Sequence, residues 1–247
     1  MDYQNHFAEQ SECYLEYRPT YPESLFDFLK SVVKGHDAVW DCGTGNGQAA
    51  VPLSERFKKV IATDLNQAQL DVAPKRENIE YHCCPSEKTP IPSQSMDLIT
   101  IAQALHWFSF ADFYKEVKRV AKPKGLISAW CYGLGSNPEI DDIIHRLYNE
   151  ILWWPPERRY IDEGYRTIPF PFEKITTPVF AIEKELNYSQ LLGYLNTWSA
   201  VKEYQQRHQQ NPLELIDADL KAAWGDPQAQ KLIRWPLHVL LGLVHPL

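Results

Sequence analysis

The stretch Val39-Trp40-Asp41-Cys42-Gly43-Thr44-Gly45-Asn46-Gly47-Gln48 decides how this chain is read. It reads as a buried strand that ends in an acid, turns on three alternate glycines and enters a helix. Glycine costs conformational entropy on folding, so three of them point to a backbone that bends sharply or approaches a ligand closely. Further on, Val60-Ile61-Ala62-Thr63 reads as a second strand, and it too ends in an acid, Asp64. Strand, glycine turn, helix and a second strand ending in an acid form a nucleoside-binding half-site. The glycines admit the ligand, and the acid accepts hydrogen bonds from ribose hydroxyls.

Upstream of the turn, Leu25, Phe28, Leu29 and Val32 recur on one helical face, with Pro22 where a first-turn proline is tolerated. Downstream, the spacing predicts a helix over 48–57 and a short helix over 67–73 that Pro74 closes. A third strand is expected at 79–82, and Pro85, Pro90 and Pro92 then force a loop. Asp97-Leu98-Ile99-Thr100-Ile101-Ala102 is a fourth strand, apolar enough to be buried on both faces. Phe110, Phe113, Tyr114, Val117 and Val120 mark the next helix; Pro123 and Gly125 break it, and 126–132 supplies a fifth strand. This alternation predicts a doubly wound α/β sheet with right-handed crossovers.

After Gly133 the texture changes. A helix is expected over 137–151, then an ordered loop rich in proline and aromatics from Trp153 to Phe172, then a strand over 178–186. Leu191, Tyr194, Leu195, Trp198 and Val201 mark an amphipathic helix, 213–224 a further helical piece, and 234–244 a last strand.

The 247 residues suit one domain with elaborations or a domain with a small cap, and 44% apolar content supports a large core. A net charge of −7 argues against a nucleic-acid surface. The first residues lack the basic start and apolar stretch of a signal peptide, and no run has the length of a membrane span. Five cysteines, odd in number and irregularly spaced, suit free thiols in a reducing compartment, so a cytoplasmic location is expected. His82-Cys83-Cys84 lacks the second pair of a zinc site, and no Gly-x-Ser-x-Gly elbow is present; neither a metal nor a serine hydrolase is expected.

The turn also bears on its ligand. A dinucleotide fingerprint would place glycine or alanine three residues after Gly45, where this chain has Gln48. Asp41, two residues before the first glycine, suits a ligand with an ammonium group better than one with a pyrophosphate. A nicotinamide-dependent oxidoreductase is therefore the weaker alternative. The Asp41-x-Gly43-x-Gly45-x-Gly47 pattern resembles the first motif of class I S-adenosyl-L-methionine (SAM)-dependent methyltransferases, of the type 11-like kind.

That resemblance, clear over about residues 35 to 135, implies a Rossmann-like, seven-stranded, mostly parallel sheet with an antiparallel last strand and a helical cap. It implies SAM as cofactor, S-adenosyl-L-homocysteine as product, and a small-molecule acceptor, with the protein a monomer or homodimer. Asp41, Gly43, Gly45 and Gly47 would contact the methionine part of SAM. Asp64, with Leu65 beside it, matches the ribose position, and Ser86 and Glu87 match the adenine contacts. Gln103 would lie near the methionine moiety. Three segments follow from the same resemblance: an N-terminal helical segment over 1–34 closing over the cofactor, a SAM-binding core over 35–135, and the remainder of the sheet over 136–247 with a cap at about 188–231.

The run Gln103-Ala104-Leu105-His106-Trp107-Phe108 is similar to that of the trans-aconitate and juvenile hormone acid methyltransferases, which esterify small-molecule carboxylates. Tyr17-Arg18-Pro19-Thr20-Tyr21-Pro22 also resembles that group. On this analogy Tyr14 or Tyr17 packs near SAM, and Arg18 meets a carboxylate of cofactor or substrate. Methyl transfer from a sulfonium is an in-line displacement, so alignment does most of the work. A carboxylate acceptor needs no base; an amine, phenol or carbon acid does, and His106 is the candidate catalytic residue. His106 reads equally as a substrate contact or as a brace for the loop after strand four. Arg158 and Arg159, between aromatics, read either as an anion contact or as a charged turn. A SAM-binding sensor or scaffold without catalysis is a further reading, because methyl transfer demands no universal side chain.

Overall fold

Segments too apolar to face water on either side form the centre of the sheet. In the computed structural model, which describes residues 17–245, strand β1 (Ala38–Cys42) is buried at every position. The others of the parallel set are β2 (Lys59–Asp64), β3 (Ile79–Cys83), β4 (Met96–Ala102) and β5 (Ala121–Tyr132). They pair in the order β3-β2-β1-β4-β5, all parallel. Beyond β5 the sheet turns antiparallel. Strand β8 (Lys231–Leu243) runs along β5 from Leu126↔Leu243 to Tyr132↔Leu237, and β6 (Glu173–Lys174) lies antiparallel on β8. The expected Rossmann-like sheet is present with its antiparallel last strand. Among the described residues it has eight strands rather than seven: the expected strand over 178–186 is β7 (Phe180–Leu186), paired with β8, and the added one is the two-residue β6.

The chain forms two compact units. One comprises Tyr21–Gly133, Arg159–Phe180 and the described part of Leu237–Leu247. It holds the parallel strands, and helices α1 (Glu23–Val32), α2 (Ala50–Ser54), α3 (Gln67–Asp71) and α4 (Phe110–Val120). Its core gathers Trp40, Ile99, Ile101, Phe113, Val117, Ile127 and Tyr165. Helix α2 is shorter than the expected 48–57. The amide of Arg56 turns back to the Leu53 carbonyl at 3.0 Å, so the helix closes in a tighter turn. Strand β5 begins earlier than the expected residue 126. Ala121 pairs with Met96, the register then shifts, and pairing resumes at Leu98↔Leu126. Pro123 and Gly125 thus end the helix as expected but leave a bulge inside the strand.

The other unit comprises the described part of Met1–Thr20, Leu134–Arg158 and Ala181–Pro236. Helix α5 (Asp141–Glu150) starts later than the expected 137, because Asp141 accepts the Asn137 amide at 2.7 Å in a turn that precedes it. The proline-rich stretch from Trp153 to Phe172 contains the short helix α6 (Arg158–Asp162). The expected helix through Leu191 and Val201 is two helices, α7 (Tyr188–Asn196) and α8 (Ser199–His208). Thr197 Oγ1 donates to the Tyr194 carbonyl at 2.6 Å, and Trp198 is extended, so the backbone breaks there. Helix α9 (Asp217–Trp224) follows a single 3-10 turn at Pro212–Leu215.

Candidate active site

The three glycines of the turn all adopt left-handed backbone, with φ of +67° at Gly43, +55° at Gly45 and +83° at Gly47. Their reasons differ. A Cβ on Gly43 would lie 2.7 Å from Ala104 Cβ, and one on Gly47 would lie 2.7 Å from Tyr81 Oη. A Cβ on Gly45 would meet only Gln69 Oε1, at 3.9 Å. Packing therefore demands glycine at 43 and 47, whereas among the described residues a Cβ on Gly45 would make only an ordinary contact, so what favours glycine there is the left-handed backbone. The turn is tied to β2: the Thr44 amide donates to the Thr63 carbonyl at 3.0 Å, and the Gly45 amide to Asp64 Oδ2 at 2.8 Å.

Asp41 lies beneath this turn, fully buried. Thr44 Oγ1 donates to its Oδ2 at 2.5 Å and Thr100 Oγ1 to its Oδ1 at 2.8 Å. Burial pushes its pKa up to about 6; the two threonine hydroxyls oppose the rise and the charge of Asp64 adds to it. Asp64 is only half-buried, and its second oxygen accepts the Asn66 amide at 2.8 Å. Each Asp64 oxygen receives one backbone amide and keeps further acceptor capacity for sugar hydroxyls.

A cavity of about 220 Å³ opens in front of the turn. Gly43 and the strand end Thr63, Asp64 and Leu65 form one part of its lining. Cys84, Ser86 and Glu87 form another, and Ala104, Trp107 and Phe108 a third. Leu65 is 71% exposed and Trp107 58%, so large apolar surface is kept in water at the site. Phe108 packs on Phe113 of α4 at 4.8 Å, which fixes that wall to the core. Glu87 Oε1 accepts the Ser109 amide at 3.2 Å and ties the Ser86-Glu87 loop to the start of α4.

Of the residues singled out from sequence, the cavity gathers Gly43, Asp64, Leu65, Ser86 and Glu87. Asp41, Gly45, Gly47, Gln103 and His106 are not in its lining. Gln103 has φ +57°, and its carboxamide pairs both ways with the Tyr132 backbone at 2.9 Å, continuing the β4–β5 ladder. His106 sits in a 3-10 turn, Leu105–Trp107, with its Nδ1 2.9 Å from Tyr165 Oη.

Tyr17 and Arg18 belong to the other unit. There Arg18 donates to the Thr197 carbonyl at 3.2 Å, and the Tyr17 ring occupies the space of a Cβ on Gly193. Tyr14 lies outside the described residues. Arg158 stacks over Trp154 at 4.7 Å and Arg159 over Tyr160 at 4.8 Å, a cation–π use that the sequence reading did not foresee.

Thr63, Cys84 and Ala104 also line the cavity without having been singled out. Thr63 had a signal, since it lies near the end of β2 beside Asp64, and Cys84 follows β3 two residues before Ser86. Among the described residues, no group of three His, Cys, Asp or Glu side chains is placed to hold a metal, and no helix is long and apolar enough to cross a membrane.

The α/β sheet, the left-handed glycine turn and the acid on the next strand define a nucleotide-derivative-binding enzyme fold. Residues 40–129 match the sequence profile of a methyltransferase domain. A provisionally assigned methyltransferase of Dictyostelium discoideum is 35% identical over 246 residues, spanning 96% of this chain and 94% of its own length. A solved structure of a type II methyltransferase from Anaeromyxobacter dehalogenans, also provisionally assigned, is 40% identical, with a TM-score of 0.87 over 94% of this chain and 100% of the other. A malonyl-[acyl-carrier protein] O-methyltransferase of Marinomonas is 38% identical over 151 residues, covering 58% of this chain and 55% of that one. The chain belongs to the methyltransferase family. The cofactor of this family and fold is SAM, and the residues present fit it: a left-handed glycine turn with Gly43 at the cavity, a carboxylate for sugar hydroxyls, and apolar walls for a base.

Proposed function

We propose that the protein transfers the methyl group of SAM to a small-molecule acceptor, with a carboxylate as the leading acceptor class. The observation that carries the donor half is Gly45, left-handed and bonded through its amide to Asp64. SAM, when bound, supplies an electrophilic methyl group on a sulfonium. Asp64, its two oxygens oriented by the Gly45 and Asn66 amides, holds the ribose hydroxyls. Leu65, Trp107 and Phe108 face the adenine, with Ser86 and Glu87 beside it. Asp41 acts through the turn that it braces, and Gln103 by fixing the end of β4. The segment over 35–135 binds the donor, and the segment over 136–247 governs acceptor choice.

Two observations support a carboxylate. The Gln103–Phe108 run resembles the methyltransferases that esterify trans-aconitate and juvenile hormone acid, and the Marinomonas relative is an O-methyltransferase. A carboxylate is ionised at neutral pH, so alignment against the methyl group suffices. The test is incubation with labelled SAM and a cell extract, followed by mass spectrometry of the labelled product. A methyl ester supports the reading, and a methylated amine or RNA overturns the carboxylate assignment. SAM binding without turnover across a broad metabolite panel would move the protein to a sensor or scaffold role.

A further inference from the structure

The loop that brings Ser86 and Glu87 to the cavity is held from outside, by helix α4. Pro85, Pro90 and Pro92 bring it no amide hydrogens, and within it the Lys88 amide reaches the Pro85 carbonyl at 3.3 Å. Glu116 of α4 is a buried carboxylate, 7% exposed. Its Oε1 accepts the Thr89 amide at 2.8 Å and the Thr89 hydroxyl at 2.7 Å. Arg119 forks onto the same carboxylate, Nε to Oε2 at 2.7 Å and Nη2 to Oε1 at 2.6 Å. The guanidinium also touches the loop itself, with Nη1 donating to Ser93 Oγ at 3.2 Å and Nη2 to the Thr89 carbonyl at 3.4 Å.

A second hold lies at the start of the helix, where the Ser109 amide donates to Glu87 Oε1 at 3.2 Å. Ser109 and Glu116 are about two turns apart and Arg119 follows one turn later, so one side of α4 carries all three. The helix itself is fixed, because Phe113, Val117 and Val120 are fully buried in the core. Burial would raise the Glu116 carboxyl, but hydrogen bonds from Arg119 and Thr89 outweigh it and hold the group below its ordinary value. An ionised acceptor makes shorter and stronger bonds than a neutral one, so the loop hangs from a charge.

We propose that Glu116, oriented by Arg119, is a positioning residue for base recognition: it fixes the backbone at Thr89 and so keeps Ser86 and Glu87 in place in the cavity wall. Glu116 and Arg119 are not in that wall, so they act through the loop. The inference rests on the methyl-transfer reading, in which Ser86 and Glu87 stand beside the adenine. Hydrogen bonds to the edge of a base weaken steeply when donor and acceptor are displaced or misaligned. A loosened loop therefore loses its preference between bases, whereas a helix that is merely less stable does not.

The test compares S-adenosyl-L-homocysteine with S-inosyl-L-homocysteine, in which a carbonyl and a ring N–H replace the amino group and ring acceptor of adenine. Both are titrated calorimetrically into the full chain, unmodified and as Glu116→Gln and Thr89→Val, with thermal melting alongside. The unmodified protein should prefer the adenosyl compound by about tenfold or more, as expected of a site that hydrogen-bonds the base. Glu116→Gln keeps the shape and removes the charge; it should weaken S-adenosyl-L-homocysteine about tenfold and shrink the preference to within about threefold. Thr89→Val loses one of the bonds to Glu116 and should fall between the two. A lower melting temperature in Glu116→Gln with the preference intact overturns the proposal, since the residue then only braces the helix. Should Glu116→Gln fail to fold, an unchanged preference in Thr89→Val overturns it instead. Equal binding of both compounds by the unmodified protein also overturns it, while the donor reading stands. Binding of neither removes the donor reading and the proposal together.

Discussion

Among the described residues, an added methyl group at Gly45 would find only Gln69 Oε1 at 3.9 Å, while at Gly43 it would strike Ala104 Cβ at 2.7 Å. The two positions therefore separate backbone conformation from packing. Gly45→Ala should cost about 1–2 kcal/mol for a left-handed alanine, and lower SAM affinity about tenfold or more. Gly43→Ala should lose more stability, because it adds a clash to the same backbone cost. Calorimetric titration with SAM beside thermal melting checks both; unchanged SAM affinity in Gly45→Ala would sink the cradle. Asp41 carries a pH signature. Its folded pKa of about 6 lies above the ordinary 3.8, so the fold favours the neutral carboxyl. That contribution is fully present below about pH 4 and is lost as pH rises through about 6, on the order of 3 kcal/mol. Asp41→Asn stays neutral, so its stability relative to the unmodified protein should grow between pH 4 and 6 and then level off. Urea midpoints of both proteins at pH 4.5 and 7.5 are the measurement, and a difference that does not change with pH would refute it.

At the scale of the element, local signals and long-range pairing divide the work. Helix α7 opens with a capping box: Asn187 accepts the Gln190 amide at 3.0 Å, and Gln190 Oε1 accepts the Asn187 amide at 2.9 Å. Asn187→Ala should cost about 1 kcal/mol, visible as a lower denaturant midpoint with SAM affinity unaltered. A drop in SAM affinity would instead tie this helix to the donor site. The apolar runs at β1 and β4 were legible because burial on both faces leaves no polar alternation. The start of β5 was not, since Lys122-Pro123-Lys124-Gly125 looks like a loop and only pairing of Ala121 with Met96 recruits it to the strand. The break between α7 and α8 was missed for a related reason. Apolar spacing runs on through Trp198, while the Thr197 hydroxyl turns back onto the Tyr194 carbonyl and ends the helix.

For the whole molecule, a ligand that binds only the folded protein stabilises it by mass action, about 2.7 kcal/mol at a hundredfold excess over Kd. SAM and S-adenosyl-L-homocysteine should therefore each raise the melting temperature by roughly 5–10 °C, and NAD should not. A rise with NAD alone would return the chain to the oxidoreductase reading. The sequence by itself determined the strand–turn–helix order, the acids at the ends of β1 and β2, and the family. Those signals are carried by neighbouring residues, through burial, proline and glycine. Tertiary structure decided what the acids and amides do. Asp41 turns to Thr100 on a neighbouring strand, Gln103 to the Tyr132 backbone, and His106 to a phenol 59 residues away. Side-chain hydrogen bonds between segments far apart in the chain depend on where the fold brings those segments together, and no local pattern encodes that.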